Sequence, residues 1–355
     1  MRSLFFYLFL FSVHFCSCQK SIQEETTQLD IELSEPIPGS KMNGLSFVAP
    51  PRPFPENPMP KVKAVGANWV AVIPYGYMRK GEAQVGFGQH DWQWWGETPD
   101  GAEATIQLAQ ENGLNVLLKP QVYIHNSWTG DVYFSDEEKW KVWEETNEKY
   151  ILVFAEIAQK YNVPAFCIGT EWKRTVDKRE DYWRSLIAKV RKIYKGKLVY
   201  ASNWDEWDIV PFWDALDYIG INAYFPLMNE EVPKVKELKK AWAGIEKKLA
   251  AFSKKHQRKI IFTEFGYMSV ENCAHQTWVL EKNRKKLVYS EKAQANAMEA
   301  LYATFMPKDY WVGSFLWKWY PNEFAGRRMV KDYTPQGKLS EEVLQKWFLK
   351  KKYAN

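Results

Sequence analysis

Two glutamates stand where apolar runs stop. One closes Ile168-Gly169-Thr170-Glu171-Trp172, and the other sits in Ile261-Phe262-Thr263-Glu264-Phe265-Gly266-Tyr267. A carboxylate at the end of a buried strand costs free energy unless it is paired or put to use, and two in matching settings point to use. The chemistry open to such a pair is cleavage of a glycosidic bond. One carboxylic acid protonates the leaving oxygen while a second carboxylate acts from the opposite face of the sugar ring. A separation of about 5 to 5.5 Å serves a covalent double displacement with retained configuration, and a wider gap admits an attacking water and inverts it.

Something must hold these residues at one place. Eight short apolar or β-branched runs recur, at 42–48, 69–75, 115–124, 165–171, 198–203, 218–224, 259–266 and 312–319, and most are followed by a loop and a segment of helical periodicity. That alternation predicts parallel β/α units closed into a single (β/α)8 TIM barrel over 41–355. A doubly wound open sheet would carry a Gly-rich phosphate-binding turn after its first strand, and none is present. Helix boundaries are marked too. Ser135 to Glu138 reads as a capping box opening a helix that runs to 161, and Asp100 with Glu103 reads as another ahead of 104–112. Gly113 and Gly196 stand where left-handed C-terminal caps are expected. Barrel enzymes work at the C-terminal ends of their strands, so Glu171 and Glu264, closing the fourth and seventh runs, are expected to face one narrow mouth. A narrow mouth suits the shorter separation and hence retention.

Composition limits the alternatives. With 46% hydrophobic and 26% charged residues, the chain can bury a core without disulfides or metals. The net charge of +5 is spread through Lys-rich segments such as 234–255, which read as solvated helix faces, and no basic motif supports nucleic-acid binding. There are 18 Trp, 19 Tyr and 20 Phe, and many of the tryptophans lie beside Gly, Asn and Asp in loop-like stretches. Beyond those needed for a core, such aromatics suit the flat apolar face of a sugar. No Gly-x-Ser-x-Gly elbow or paired-histidine motif supports serine or metal hydrolysis, and neither a metal nor another cofactor is expected. Cys167 lies in an apolar run and Cys273 in a polar loop, so a bridge between them is not expected.

The N-terminus reads as an export signal over 1–18: Arg2, then an apolar run at 4–15 too short to span a bilayer, then Cys16-Ser17-Cys18. Cleavage before Cys18 leaves a cysteine for lipid attachment at the cell envelope, and cleavage after it releases a secreted protein. Residues 19–40 read as a polar linker.

Three motifs together resemble glycoside hydrolase family 113. They are Ile168-Gly169-Thr170-Glu171, Thr263-Glu264-Phe265-Gly266-Tyr267 and Leu316-Trp317-Lys318-Trp319-Tyr320. The resemblance places the chain in the large clan of retaining (β/α)8 glycosidases. It implies β-1,4-mannan or glucomannan as the polysaccharide partner, with Glu171 as acid/base and Glu264 as nucleophile. It also implies that Tyr224, closing Gly220-Ile221-Asn222-Ala223-Tyr224, hydrogen-bonds the nucleophile, and that Trp317 floors the subsite of the cleaved sugar. Two positions depart from the common pattern. Thr170 stands where most of the clan has an asparagine for the sugar 2-hydroxyl, which separates the chain from the common cellulase families. Lys119-Pro120-Gln121 stands where family members often carry histidine after Lys-Pro, so Gln121 is the expected subsite contact there.

Other candidates come from position alone. Asn222 shares a strand face with Tyr224 and reads as a substrate ligand or a loop cap. The loops 89–96 and 203–207 are expected to bring Trp95 and Trp204 toward the mouth, either as walls for distal sugars or in local packing, and His125 and Trp128 after the third run read the same way. Arg79 is a candidate partner for the nucleophile. Two other functions stay open: a β-glucan or cellulose hydrolase of the same clan, because gluco and manno sugars differ at one hydroxyl, and a surface barrel that binds glycans without cleaving them.

Overall fold

The computed structural model describes residues 41–88, 91–322 and 329–349. The expected export signal at 1–18 and linker at 19–40 lie outside the described residues, as do Gln89 and His90. In chain order the elements are β1 (Met42–Phe47), α1 (Met59–Ala64), β2 (Trp69–Val72), β3 (Tyr75–Met78), α2 (Pro99–Glu111), β4 (Asn115–Leu118) and β5 (Gln121–Ile124). Then come α3 (Glu137–Lys160), β6 (Ala165–Thr170), α4 (Lys173–Lys178), α5 (Glu180–Ile193), β7 (Lys197–Asn203), β8 (Tyr218–Asn222) and α6 (Val235–His256). The last are β9 (Lys259–Phe265), α7 (Thr277–Lys282), α8 (Glu291–Phe305), β10 (Trp311–Trp319) and α9 (Leu339–Leu349).

Eight strands close a barrel in the order β1-β10-β9-β8-β7-β6-β4-β2. Every neighbouring pair is parallel, as right-handed β/α crossovers require. This is the (β/α)8 TIM barrel that the alternation predicts. Between β7 and β8 the connection carries only a 3-10 turn, Trp213–Ala215, in place of a helix. Inside, Ala71, Leu117, Ala165, Cys167, Val199, Ile261 and Phe315 pack as one cluster. Outside, Trp143, Trp183, Trp213, Trp242 and Trp311 are fully buried. Each such side chain removed from water contributes on the order of 2 kcal/mol, so part of the tryptophan excess is core.

The second and third runs are not single strands. Each is broken by a proline, Pro74 after β2 and Pro120 after β4, because proline brings no N–H to a sheet ladder. Beyond the break, β3 and β5 leave the barrel and pair with each other as a two-stranded parallel ribbon, Tyr75 opposite Gln121 and Tyr77 opposite Tyr123. The Tyr150 hydroxyl locks the departure point by donating to the carbonyls of Pro74 (3.1 Å) and Gln121 (2.8 Å).

Helix ends differ in detail from expectation. Asp136, not Ser135, caps α3 by accepting from Glu138 N at 2.9 Å. Thr98 caps α2 by accepting from Gly101 N at 3.2 Å, and Pro99 in the first turn starts the helix ahead of Asp100. Gly113 is left-handed at φ 68° as a C-terminal cap should be. Gly196 is not: a Cβ there would lie 2.1 Å from the Tyr194 hydroxyl, so its smallness serves that ring and not a cap. Cys167 and Cys273 are buried and unbridged. No helix among the described residues is long and apolar enough to cross a membrane.

Candidate active site

Glu171 follows the last residue of β6, and its backbone is left-handed at φ 56°. For a residue with a Cβ that conformation costs roughly 1 to 2 kcal/mol, so its surroundings must enforce it. They do: Glu171 N donates to Ala201 O on β7 (2.8 Å), the next amide, Trp172 N, donates to the Tyr200 hydroxyl (2.8 Å), and Thr129 Oγ1 donates to Glu171 O (3.2 Å). The bend turns the side chain into a pocket at the C-terminal mouth, whose wall also includes Glu264, Tyr75, Gln121, Asn222 and Trp317. A second cleft, lined by Arg191, Asp217 and Arg258, lies where β8 and β9 begin. There Arg191 binds Asp217 at 2.5 Å and Arg258 donates to the carbonyls of Leu216 and Asp214.

The carboxyl of Glu171 accepts two hydrogen bonds, from Asn222 Nδ2 to Oε1 (2.8 Å) and from Trp128 Nε1 to Oε2 (2.6 Å). The Thr263 hydroxyl donates to Asn222 Oδ1 at 2.8 Å, which orients the amide with its NH2 toward Glu171. Burial pushes this carboxyl above the usual carboxylate range and the negative charge of Glu264 pushes it further, while the Asn222 and Trp128 donors and the Lys119 charge oppose the rise.

Glu264, on β9 and 6% exposed, meets the opposite environment. Lys119 Nζ forms an ion pair with Oε1, Gln121 Nε2 donates to the same oxygen at 2.6 Å, and the Tyr224 hydroxyl donates to Oε2 at 2.9 Å. All three donate, and an ionised carboxylate only accepts, so the set fits the charged form. Lys119 has 0% exposure, which makes the pair strongly interdependent: removing either partner strands a charge in the core. Tyr75 and Tyr224 remain neutral, because burial and the charge of Glu264 raise both phenols well above their ordinary value. One neutral-leaning acid and one charged carboxylate in a single pocket are equipped for proton donation and attack.

The structure thus brings Glu171, Glu264, Asn222, Gln121, Tyr224 and Trp317 together. Asn222 serves Glu171 and not a loop cap. Gln121 and Trp128 also bind the glutamates directly. The peptide bond between Trp317 and Lys318 is cis. Three candidates stand apart from the pocket wall. Trp95 packs edge-on against Phe54 at 5.8 Å, Trp204 stacks on Trp278 at 5.6 Å and 15°, and His125 is exposed beside the Tyr123 ring at 6.5 Å. Arg79 is at the surface, 3.7 Å from Glu82, and the cation at Glu264 is Lys119 instead.

Lys119 escaped the sequence reading although its signal was there. It closes Val116-Leu117-Leu118 as the two glutamates close their own runs. Glu206 was missed as well. Fully buried just past the C-terminal end of β7, it accepts from Asn203 N at 2.6 Å, leaves Oε2 without a partner, and is pushed up to about 8 by burial, the charge of Glu171 adding to the rise. Among the described residues no group of three or more His, Cys, Asp and Glu side chains is placed to hold a metal ion.

A closed parallel barrel with unlike carboxyls at its C-terminal mouth defines a class, the barrel glycoside hydrolases. The model of Glycoside Hydrolase Family 113 matches residues 53–342, most of the chain, and the chain belongs to that family. Solved structures share the fold. A GH113 β-mannanase from Alicyclobacillus acidocaldarius, solved in complex with ManMIm, superposes with a TM-score of 0.76 at 24% identity, covering 88% of this chain and 98% of that one. A second GH113 β-1,4-mannanase gives 0.74 at 23%, covering 88% and 100%. The β-glucuronidase of Ruminococcus gnavus gives 0.58 at 14%, and the match covers 88% of this chain but 50% of that longer one. No curated protein sequence matches the chain.

Proposed function

We propose that this glycoside hydrolase cleaves β-1,4-mannosidic bonds in mannan or glucomannan by double displacement, with Glu264 as nucleophile and Glu171 as acid/base. The observation that carries the reading is the opposed settings of the two carboxyls: an ammonium and two further donors at Glu264, and burial with a neighbouring negative charge at Glu171. In the first step Glu171 gives its proton to the glycosidic oxygen while Glu264 attacks the anomeric carbon. The old C–O bond breaks and a glycosyl ester forms on Glu264. Ester formation removes the charge of Glu264, and with it the repulsion that raised Glu171. Glu171, now ionised, takes a proton from water, which displaces Glu264 and restores both groups.

Trp317 in the pocket wall offers an apolar face for the sugar being cleaved. The manno preference is supported by family membership and by the β-mannanases among the structural neighbours. The test is reducing-sugar release from β-mannan, glucomannan, carboxymethyl cellulose and xylan, with proton NMR of the first products. Mannan or glucomannan is expected to be the best substrate, and xylan poor because it lacks the hydroxymethyl group. Carboxymethyl cellulose as the best substrate overturns the manno preference, and inverted early products overturn the double displacement.

A further inference from the structure

We propose that the β3/β5 ribbon forms a glycan-binding subsite outside the catalytic pocket, where Tyr77, Tyr123 and Trp92 hold the part of a β-linked chain that extends beyond the two glutamates. This rests on the glycosidase reading above and adds a place for the rest of the polymer.

Strand alternation puts Tyr75 and Tyr77 on one face of β3, and Gln121 and Tyr123 on the matching face of β5. The first cross-strand pair, Tyr75 with Gln121, belongs to the pocket, and Gln121 holds the nucleophile. The second pair, Tyr77 with Tyr123, comes two residues later, roughly 6 to 7 Å along the strands and on the same face. That advance is comparable with one pyranose unit. Tyr123 also borders the pocket itself, so the two surfaces are continuous.

The aromatic surface is open. Tyr123 is 48% exposed and Trp92 60%. Tyr77 lies between them, its ring 6.1 Å from Tyr123 and 4.5 Å from Trp92, both in edge-on geometry. The Trp204 and Trp278 rings differ: they stack on each other, each covering a flat face of its partner, and neither borders the pocket.

The surface is also held in place. The Tyr77 hydroxyl donates to Glu97 Oε2, which accepts from Trp94 N as well (3.2 Å). Gln93 Nε2 donates to the carbonyls of Tyr75 (3.1 Å) and Glu97 (3.4 Å), and Tyr77 exchanges backbone hydrogen bonds with Gly86 at 2.7 and 2.8 Å. The Tyr77 ring, fixed before the ligand arrives, loses little freedom on binding, and it backs the two exposed rings edge-on. Among the described residues both hydrogen bonds to the Glu97 carboxyl fall on Oε2, so Oε1 of this half-buried group is placed to accept from a sugar hydroxyl.

The experiment compares Tyr123→Ala and Trp92→Ala with wild type on β-1,4-linked mannotriose and mannohexaose, with the cello-oligosaccharides of the same lengths alongside. Loss of one stacking ring is expected to lower kcat/KM for the hexasaccharide about tenfold, through KM, and for the trisaccharide by clearly less. Tyr123→Trp, which keeps a ring, should recover the long substrate, a result that a general folding defect would not give. An equal loss at both lengths, or no loss at either, overturns the subsite. If wild type cleaves only the cello series, the mannan reading falls, and the same length comparison in that series decides the subsite.

Discussion

The two halves of the pocket treat the same functional group in opposite ways. Around Glu264 the barrel supplies a buried ammonium, an amide and a phenol. Around Glu171 it supplies an amide, an indole and, within electrostatic reach, a second buried acid in Glu206. The difference comes from neighbouring strand ends. Lys119, just past β4, and Tyr224, just past β8, turn to β9, while Asn222, the last residue of β8, turns to Glu171. Two identical side chains therefore acquire unlike environments from which neighbour each one faces, and the proposed roles follow from that difference.

The strongest test of this contrast removes each carboxyl in turn. Glu264→Ala should lower turnover of every substrate by roughly 10⁴- to 10⁶-fold, and azide should restore part of it with inverted product. Glu171→Ala should cost roughly 10²- to 10⁴-fold on natural glycans and far less on an aryl glycoside, whose leaving group needs little protonation. Initial rates on both substrate types, with NMR of the azide products, read the outcome. Equal losses across both substrates in both variants would erase the division of roles.

A gentler test removes one donor from each half. Tyr224→Phe takes a hydrogen bond from the charged carboxylate, an interaction of about 1.5 to 3 kcal/mol, so kcat/KM should fall roughly tenfold to a hundredfold. Trp128→Phe acts on the other side, and its main sign is in pH. The indole holds Glu171 down, so its removal lets burial and Glu264 raise that carboxyl further. Glu171 then keeps its proton to higher pH, and the alkaline limb of the activity profile should move up. A downward shift would mean that the indole does not favour the ionised acid.

Much of this was legible because closure of a barrel leaves a strong signature. Strands buried on both faces read as continuous apolar runs, and an ionisable residue at the end of such a run is conspicuous, which is how Glu171 and Glu264 were found. Lys119 carries the same signature. It stands in the motif Lys119-Pro120-Gln121, whose departure from the family pattern lies at its third residue and masks the charge at its first. Pro74 and Pro120 likewise announce that two runs must leave the barrel, yet their ribbon partners are defined only by pairing in space. Side-chain direction in loops has no period to read. Trp95, Trp128 and Trp204 therefore looked alike in sequence, while one packs on Phe54, one grips Glu171 and one stacks on Trp278.

The left-handed backbone of Glu171 bears on how such a chain can change. Asparagine and glycine accept that conformation more readily than glutamate does, and either would also remove a buried acid facing another negative charge. With Glu171 as the proposed acid/base, selection for a sturdier fold and selection for turnover pull this one position in opposite directions. A chain relieved of the need to cut would gain stability by giving up its acid, while keeping Trp317 and the rings of the ribbon. On the proposed roles of Glu171 and the ribbon, a glycan-holding barrel stands one substitution away from this hydrolase, on the downhill side.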